Sequence, residues 1–262
     1  MESLSRDSIV VIASAAMAIF KKYLLFLTLM ALILNPASAA PTSPLLPDVA
    51  PVRTKAERDA LSPAQVLERF KSGNERFVTG QMTNRDLLME KRGTAAGQHP
   101  AAVVLSCMDS RAPAEFLFDK GIGEIFNARV AGNVLNSDMT GSLEFGCAVA
   151  GAKLIVVLGH TECGAIKGAI DDVEMGSLTG LLERIHPAVV DSKAKGAGDH
   201  TSSNASLVQA VTNKHVELTI HQLRRVSPIL RELEEKGELK IVGGIYDVAS
   251  GRVHFLEVPK EN

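Results

Sequence analysis

From Ser62 onward the apolar positions Val66, Leu67, Phe70 and Phe77 recur at helical spacing, with Ser62 placed to cap and Pro63 at the first helical position. This predicts a helix that packs on the main body or on a partner subunit. Four short runs rich in β-branched residues then predict strands over 102–106, 124–129, 154–158 and 239–246. Helical patterns lie between and after them: 142–150, a segment from Ala165 onward, and a long one marked by Val216, Ile220, Leu223, Ile229, Leu230 and Leu233. Ser227-Pro228 interrupts the last and restarts it as a cap followed by a first helical proline. Residues 253–256, after Ser250-Gly251, read as an edge strand returning by a hairpin. Strands that alternate with helices predict an α/β fold, a mostly parallel β-sheet flanked by helices with an N-terminal helical arm. Residues 176–204 include Lys193-Ala194-Lys195-Gly196-Ala197-Gly198 and read as a polar, flexible loop.

The first 40 residues depart from this alternation. Lys21 and Lys22 precede the apolar run 23–34, and Asn35-Pro36-Ala37-Ser38-Ala39 follows. A basic region, a short apolar core and an A-x-A site predict a signal peptide over 1–39, cleaved after Ala39, and a periplasmic or secreted product. The apolar stretch 9–20 would lengthen it toward a membrane anchor, but the two lysines interrupt the span; Met17 would open a more ordinary signal. Residues 40–60, rich in Pro, Ala and Ser, read as a flexible linker or arm, and 61–262 as one domain. At 262 residues and 46% apolar, the chain has enough for one full α/β core. Its 28 basic residues are interspersed among 30 acidic ones, a formal charge of -2, so no nucleic-acid or acidic-membrane partner is indicated. There is no internal repeat and no phosphate-cradling glycine motif.

Candidate chemistry gathers where two predicted strands end. The first runs into Cys107-Met108-Asp109-Ser110-Arg111, the third into Gly159-His160-Thr161-Glu162-Cys163-Gly164. In a doubly wound sheet, ligands collect outside the carboxyl ends of the strands. Three cysteines cannot all pair within one chain, so they read as ligands or buried thiols. Zinc favours thiolate and imidazole in tetrahedral geometry, and a catalytic site supplies three protein ligands and an open fourth place. Cys107, His160 and Cys163 make such a set. Singly, a Cys is a small buried hydrophobe and a His a satisfied core group; jointly, they point to a metal. Asp109 and Arg111 are spaced for a bidentate pair that holds the carboxylate ionised, or for a surface ion pair of little worth.

The pair Cys107-x-Asp109-x-Arg111 and His160-x-x-Cys163-Gly164 resembles the signature of the β-class carbonic anhydrases. The likeness spans about 61–256 and includes Ser227-Pro228-Ile229-Leu230 and Ile241-Val242-Gly243. It implies one Zn2+ per chain on Cys107, His160 and Cys163, with Asp109 and Arg111 as a catalytic dyad and Asp109 as an alternative fourth ligand in a closed form. It implies reversible hydration of carbon dioxide to bicarbonate and a proton by zinc-bound hydroxide, in a homodimer or homotetramer. It also places Gln98, Phe126, Ala131, Phe145 and Gly164 around the substrate. Phe145 stands where many plant-type members carry Tyr, Val130 where Asn is common, and the chain has no Trp. Cys147 reads as a buried thiol; His186 and His200 are candidate proton shuttles. Other readings keep the same residues: carbon disulfide or carbonyl sulfide as substrate, a structural zinc closed by Asp109, or a Cys107–Cys163 disulfide in a redox protein.

Overall fold

A computed structural model describes residues 52–195 and 199–260; the signal segment and the part of the linker expected within 1–51, and residues 196–198, lie outside them. The N-terminal part is helical: α1 (Lys55–Asp59), α2 (Pro63–Val78) and α3 (Leu87–Gly93) precede the sheet. α2 starts where its sequence says, with a capping box between Ser62 and Gln65 and with Val66, Leu67 and Phe70 buried. α1 corrects the expectation of an arm without structure up to residue 60. Thr54 and Glu57 form a second capping box, and the buried Arg58 guanidinium donates to the Ala150 carbonyl, which ties this turn to the body.

The sheet has the order β2-β1-β3-β4-β5, with β1 (Ala102–Ser106), β2 (Ile125–Arg129), β3 (Leu154–His160), β4 (Lys240–Tyr246) and β5 (Val253–Leu256). The first four pair in parallel, and β5 returns antiparallel along β4. The later helices are α4 (Ala114–Leu117), α5 (Ser137–Glu144), α6 (Gly164–Ile170), α7 (Gly176–Leu182), α8 (His186–Lys195), α9 (Ala205–Val226) and α10 (Pro228–Glu235). The pattern read over 142–150 falls on the end of α5 and on a π-helical turn, Phe145–Val149.

Every residue of β1 and β3 is buried, which explains their unbroken apolar runs: both faces of a parallel sheet are covered. Ala102, Val104, Leu154, Val156 and Val242 face Leu67 and Phe70 of α2. Val103, Leu105, Ile155, Val157 and Ile241 face Val216, Ile220 and Leu223 of α9. A Cβ on Gly159 would sit 2.9 Å from Val216 Cγ2, so the glycine lets α9 lie close against β3 just before His160. Residues 176–195 correct the reading of a loop. Leu182, Ile185, Ala188 and Val189 are buried against Leu207, Val208 and Val211, because their three- and four-residue spacing makes an apolar stripe on α7 and α8. No helix among the described residues is long and apolar enough to cross a membrane.

Candidate metal centre

Parallel pairing sets Ser106 beside Leu158, so the residues that leave β1 and end β3 emerge side by side. Cys107 follows β1, His160 closes β3, and Cys163 stands at the start of α6. Between the last two, Glu162 takes φ +58°, a left-handed turn that folds Cys163 back toward the strand end. The three donor atoms lie within 4.8 Å of one another, and all three residues are buried.

His160 Nδ1 lies 2.8 Å from the Thr161 carbonyl. A carbonyl only accepts, so Nδ1 carries the proton and Nε2 keeps its lone pair. Nε2 is buried and has no hydrogen-bond partner. Leaving such a group unused costs ~1–3 kcal/mol. Cys107 and Cys163 are free thiols whose sulfurs lie within 4.8 Å of each other. Their mutual interaction pulls the Cys107 thiol down and pushes Cys163 up, with burial adding to the rise. The chain therefore offers two buried sulfurs and one bare imidazole nitrogen. This donor set fits zinc, which binds sulfur and imidazole and displaces thiol protons.

Asp109 lies against this cluster, its Oδ2 3.8 Å from His160 Nε2. Arg111 donates to it three times: from Nε at 3.0 Å, from Nη2 at 2.7 Å and from its own backbone N–H at 2.9 Å. These bonds hold the Asp109 carboxyl well below the usual carboxylate range. The spacing reading of a bidentate pair is thus met geometrically, with Asp109 half-buried beside the ligands and Arg111 exposed.

Two residues that sequence reasoning did not single out build the rest of the cradle. Arg129, the last residue of β2, donates to the Cys107 carbonyl at 3.0 Å and to the Asp109 carbonyl at 2.5 Å, clamping the loop between them. The signal was its register, since a residue paired with Ser106 must reach that loop. His215, on α9, lies with Nε2 2.8 Å from the Gly132 carbonyl, and Gly132 N–H donates to Cys107 Sγ at 3.3 Å. Gly132 has φ +64°, and a Cβ there would sit 2.7 Å from Ile185 Cδ1. Burial pushes His215 down to about 4, so it is neutral and donates from Nε2. Its only sequence sign is that it falls on the buried stripe of α9 with Val208, Thr212 and Thr219.

The residues assigned to the substrate pocket divide. Ala131 and Gly164 adjoin Gly132 and Cys163, at the metal cluster. Gln98 does not: its Cβ would be 3.7 Å from a Cβ on Gly123, beside the N-terminal end of β2, whereas Cys107 follows the C-terminal end of β1. Phe126 pairs with Val103, four residues before Cys107 and so ~13 Å back along the strand. Phe145 packs on Phe126 with ring centroids 6.2 Å apart and is 55% exposed. Within one chain these three do not reach the ligands. Cys147 is buried in the π-helical turn and its thiol is pushed up to about 12 by burial, as expected of an inert core thiol. His186 and His200 are both exposed, and His186 lies 3.7 Å from Asp172.

Comparison with known proteins places this geometry. The carbonic anhydrase family profile matches residues 102–253, which contain the whole metal cluster. Carbonic anhydrase 2 of Mycobacterium tuberculosis is 37% identical over 197 residues, covering 73% of this chain and 91% of the relative. The carbonic anhydrase of Mycolicibacterium smegmatis is 36% identical over 200 residues, covering 74% and 93%. Among solved structures, the β-carbonic anhydrase CafA of Aspergillus fumigatus aligns with a TM-score of 0.60 at 23% identity, covering 76% of this chain and 92% of that one. A tetrameric β-carbonic anhydrase of Sordaria macrospora aligns with a TM-score of 0.58 at 24% identity, covering 63% and 84%. With a Cys-His-Cys cluster at the carboxyl ends of two parallel strands and these likenesses along most of its length, the chain belongs to the β-carbonic anhydrases, zinc enzymes of carbon dioxide hydration.

Proposed function

We propose that Asp109, held by Arg111, orients the attacking oxygen as this enzyme hydrates carbon dioxide reversibly to bicarbonate and a proton, with zinc held by Cys107, His160 and Cys163. The observation that carries this reading is the unpartnered lone pair of buried His160 Nε2, beside two buried sulfurs and 3.8 Å from the Asp109 carboxylate. Zinc bound there supplies a Lewis acid that brings the pKa of water from ~15.7 to about 7, so hydroxide is available at neutral pH. The chain's own residues do the rest. Asp109 stays ionised because Arg111 binds its charged form, so it only accepts, and it selects an oxygen that still carries a proton. Gly132 N–H draws charge from the Cys107 sulfur, which keeps two thiolates from quenching the ion's acidity. Freed from Arg111, the same carboxylate lies near enough to serve as an alternative fourth ligand and close the site.

The test is zinc content by elemental analysis together with hydration rates at neutral and alkaline pH, on the purified chain from Ala40. One zinc per chain with a rate that rises with pH is the expected result. Bound zinc with no activity at any pH would leave a structural site or another substrate.

The placement of Gln98, Phe126 and Phe145 supports a homo-oligomer, dimer or tetramer, in which one copy completes the pocket of another. β2 is an edge strand with one side open, and Phe116, Phe145 and Val149 are exposed beside it at 58%, 55% and 73%. An open edge flanked by large apolar groups is a surface that pairs. For location, the basic, apolar and A-x-A segments of residues 1–39 support export and cleavage after Ala39. N-terminal sequencing of the exported protein checks this, with Ala40 as the expected first residue and an intact leader as the contrary one.

A further inference from the structure

A cavity of about 450 Å³ opens near the N-terminal end of β2, between α2, the segment before α1 and the turn that carries Asp119 and Lys120. It is remote from the metal cluster: Glu124 directly precedes β2, whereas Cys107 follows β1, and the strands are paired in parallel over five residues, ~17 Å. Among the described residues, five cationic side chains line it against three carboxylates.

The carboxylates have all the donors they need. Glu124 accepts from Arg53 Nη2 at 2.6 Å, from Gly121 N–H at 2.7 Å and lies 3.0 Å from Arg85 Nη2. Asp119 accepts from Arg76 Nε and Thr83 Oγ1, both at 2.6 Å. Glu57 is turned to Thr54 in the capping box of α1. Arg85 also donates to Glu90 Oε1 at 3.0 Å and to the Asp119 carbonyl at 2.9 Å, yet some donors stay short of acceptors. Arg53 Nη1 and Arg85 Nε are buried with no hydrogen-bond partner, the latter 3.8 Å from Asp119 Oδ1. Lys120 Nζ has a single acceptor, the Arg69 carbonyl at 3.2 Å, and otherwise lies over the Phe70 ring at 5.3 Å. What is missing is a group that only accepts, presents several oxygens and carries negative charge.

We propose that this cavity binds a tetrahedral oxyanion of the phosphate class, seated between Lys120, Arg53 and Arg85 with Arg69 at its mouth. Guanidinium groups approach it from the N-terminal segment and from the loop before α3, and the ammonium from the turn before β2, so the donors converge from several sides, as a tetrahedral acceptor requires. With Glu90 also paired to Arg85 at 3.0 Å, the cluster keeps one cationic group in excess, which suits an anion. The state of Lys120 agrees: burial, ahead of the neighbouring arginines and against the pull of Glu124, lowers its ammonium to about 8, the behaviour of a cation that lacks a close anion.

The experiment is calorimetric titration of the zinc-loaded protein with inorganic phosphate, against chloride at matched ionic strength. Saturable binding of one phosphate per chain is expected, weakened about tenfold or more in both Lys120→Met and Arg69→Met, since each removes a charged donor. Zinc content and basal hydration should be unchanged in both variants. Arg69 is exposed, so its variant folds even if Lys120→Met disturbs the turn. Heat from phosphate no different from that of chloride, or binding of undiminished strength in Arg69→Met and Lys120→Met alike, would overturn the proposal.

Discussion

A single proton position organises the metal cluster. Because the Thr161 carbonyl takes Nδ1–H, His160 can offer only Nε2 to the interior, and Asp109 lies next to it with its charge fixed by Arg111. Asp109→Asn keeps the shape and removes the charge. Zinc should remain bound while kcat for hydration falls about a hundredfold or more, the usual worth of a positioned proton acceptor. Elemental analysis with stopped-flow rates checks both halves, and an unchanged rate would take the carboxylate out of the mechanism. His215 predicts a pH effect on stability. Its folded value of about 4 lies below the ordinary 6.5 of an unfolded histidine, so the unfolded chain binds the proton first. The His215 contribution is therefore full above pH ~6.5 and is lost as pH falls toward 4, a change of about 3 kcal/mol. Thermal melts from pH 8 to 4, on zinc-loaded and zinc-stripped protein alike, should show this slope in the wild type and lose it in His215→Asn; equal slopes would refute it. The ligands themselves were legible in the sequence, because three soft donors after two apolar runs have few other uses. His215 was not, since a histidine on a buried helical stripe looks the same whether it fills space or holds a turn.

Elements were legible where local chemistry and tertiary demand agree. β1 and β3 start where β-branched runs put them, β5 stands where the turn at Ser250-Gly251 puts it, and α2 and α10 start at Ser-Pro caps that bond as such caps do. Ser227 serves two helices at once: it ends α9, its Oγ accepts from Leu230 N–H at 3.2 Å, and it donates to Glu144 of α5 at 2.6 Å, fully buried. Ser227→Ala leaves both partners without their bond, and the expected loss is about 2 kcal/mol in urea unfolding, with activity at 25 °C retained. A loss below a few tenths of that would mean that water replaces the hydroxyl. The elements that were missed are short and stabilised from outside. α1 needs Ala150 of another segment to hold Arg58, and α7 and α8 are broken by glycine and Pro187, so their apolar stripe is visible only once α9 lies beneath it. Their residues were present in the sequence, but the surface they pack on was not.

At the scale of the molecule, which copy a pocket residue serves was not legible in the sequence, because Gln98 and Cys107 lie only nine positions apart yet at opposite ends of a strand. If the pocket is shared, two inactive chains should rescue each other. Coexpressed Cys107→Ser and Gln98→Ala chains form mixed dimers in which one site keeps its three ligands and receives an intact Gln98. Such mixtures should show hydration activity above either parent, and purely additive rates would confine each site to its own chain. Zinc removal should lower stability across the whole domain in the same melts, since the ion holds two segments that no covalent bond joins. Cys107 and His160 are 53 positions apart and meet only through the parallel pairing of β1 with β3, after the chain has passed through β2 and α5. Local structure alone, a helix or a hairpin, brings no two of the strand-end segments together, and parallel pairing is among the later events of folding. The ion therefore cannot act as a seed for this fold; it inspects the finished topology, and the chain takes up its metal as a final quality check on the pairing of β1 with β3.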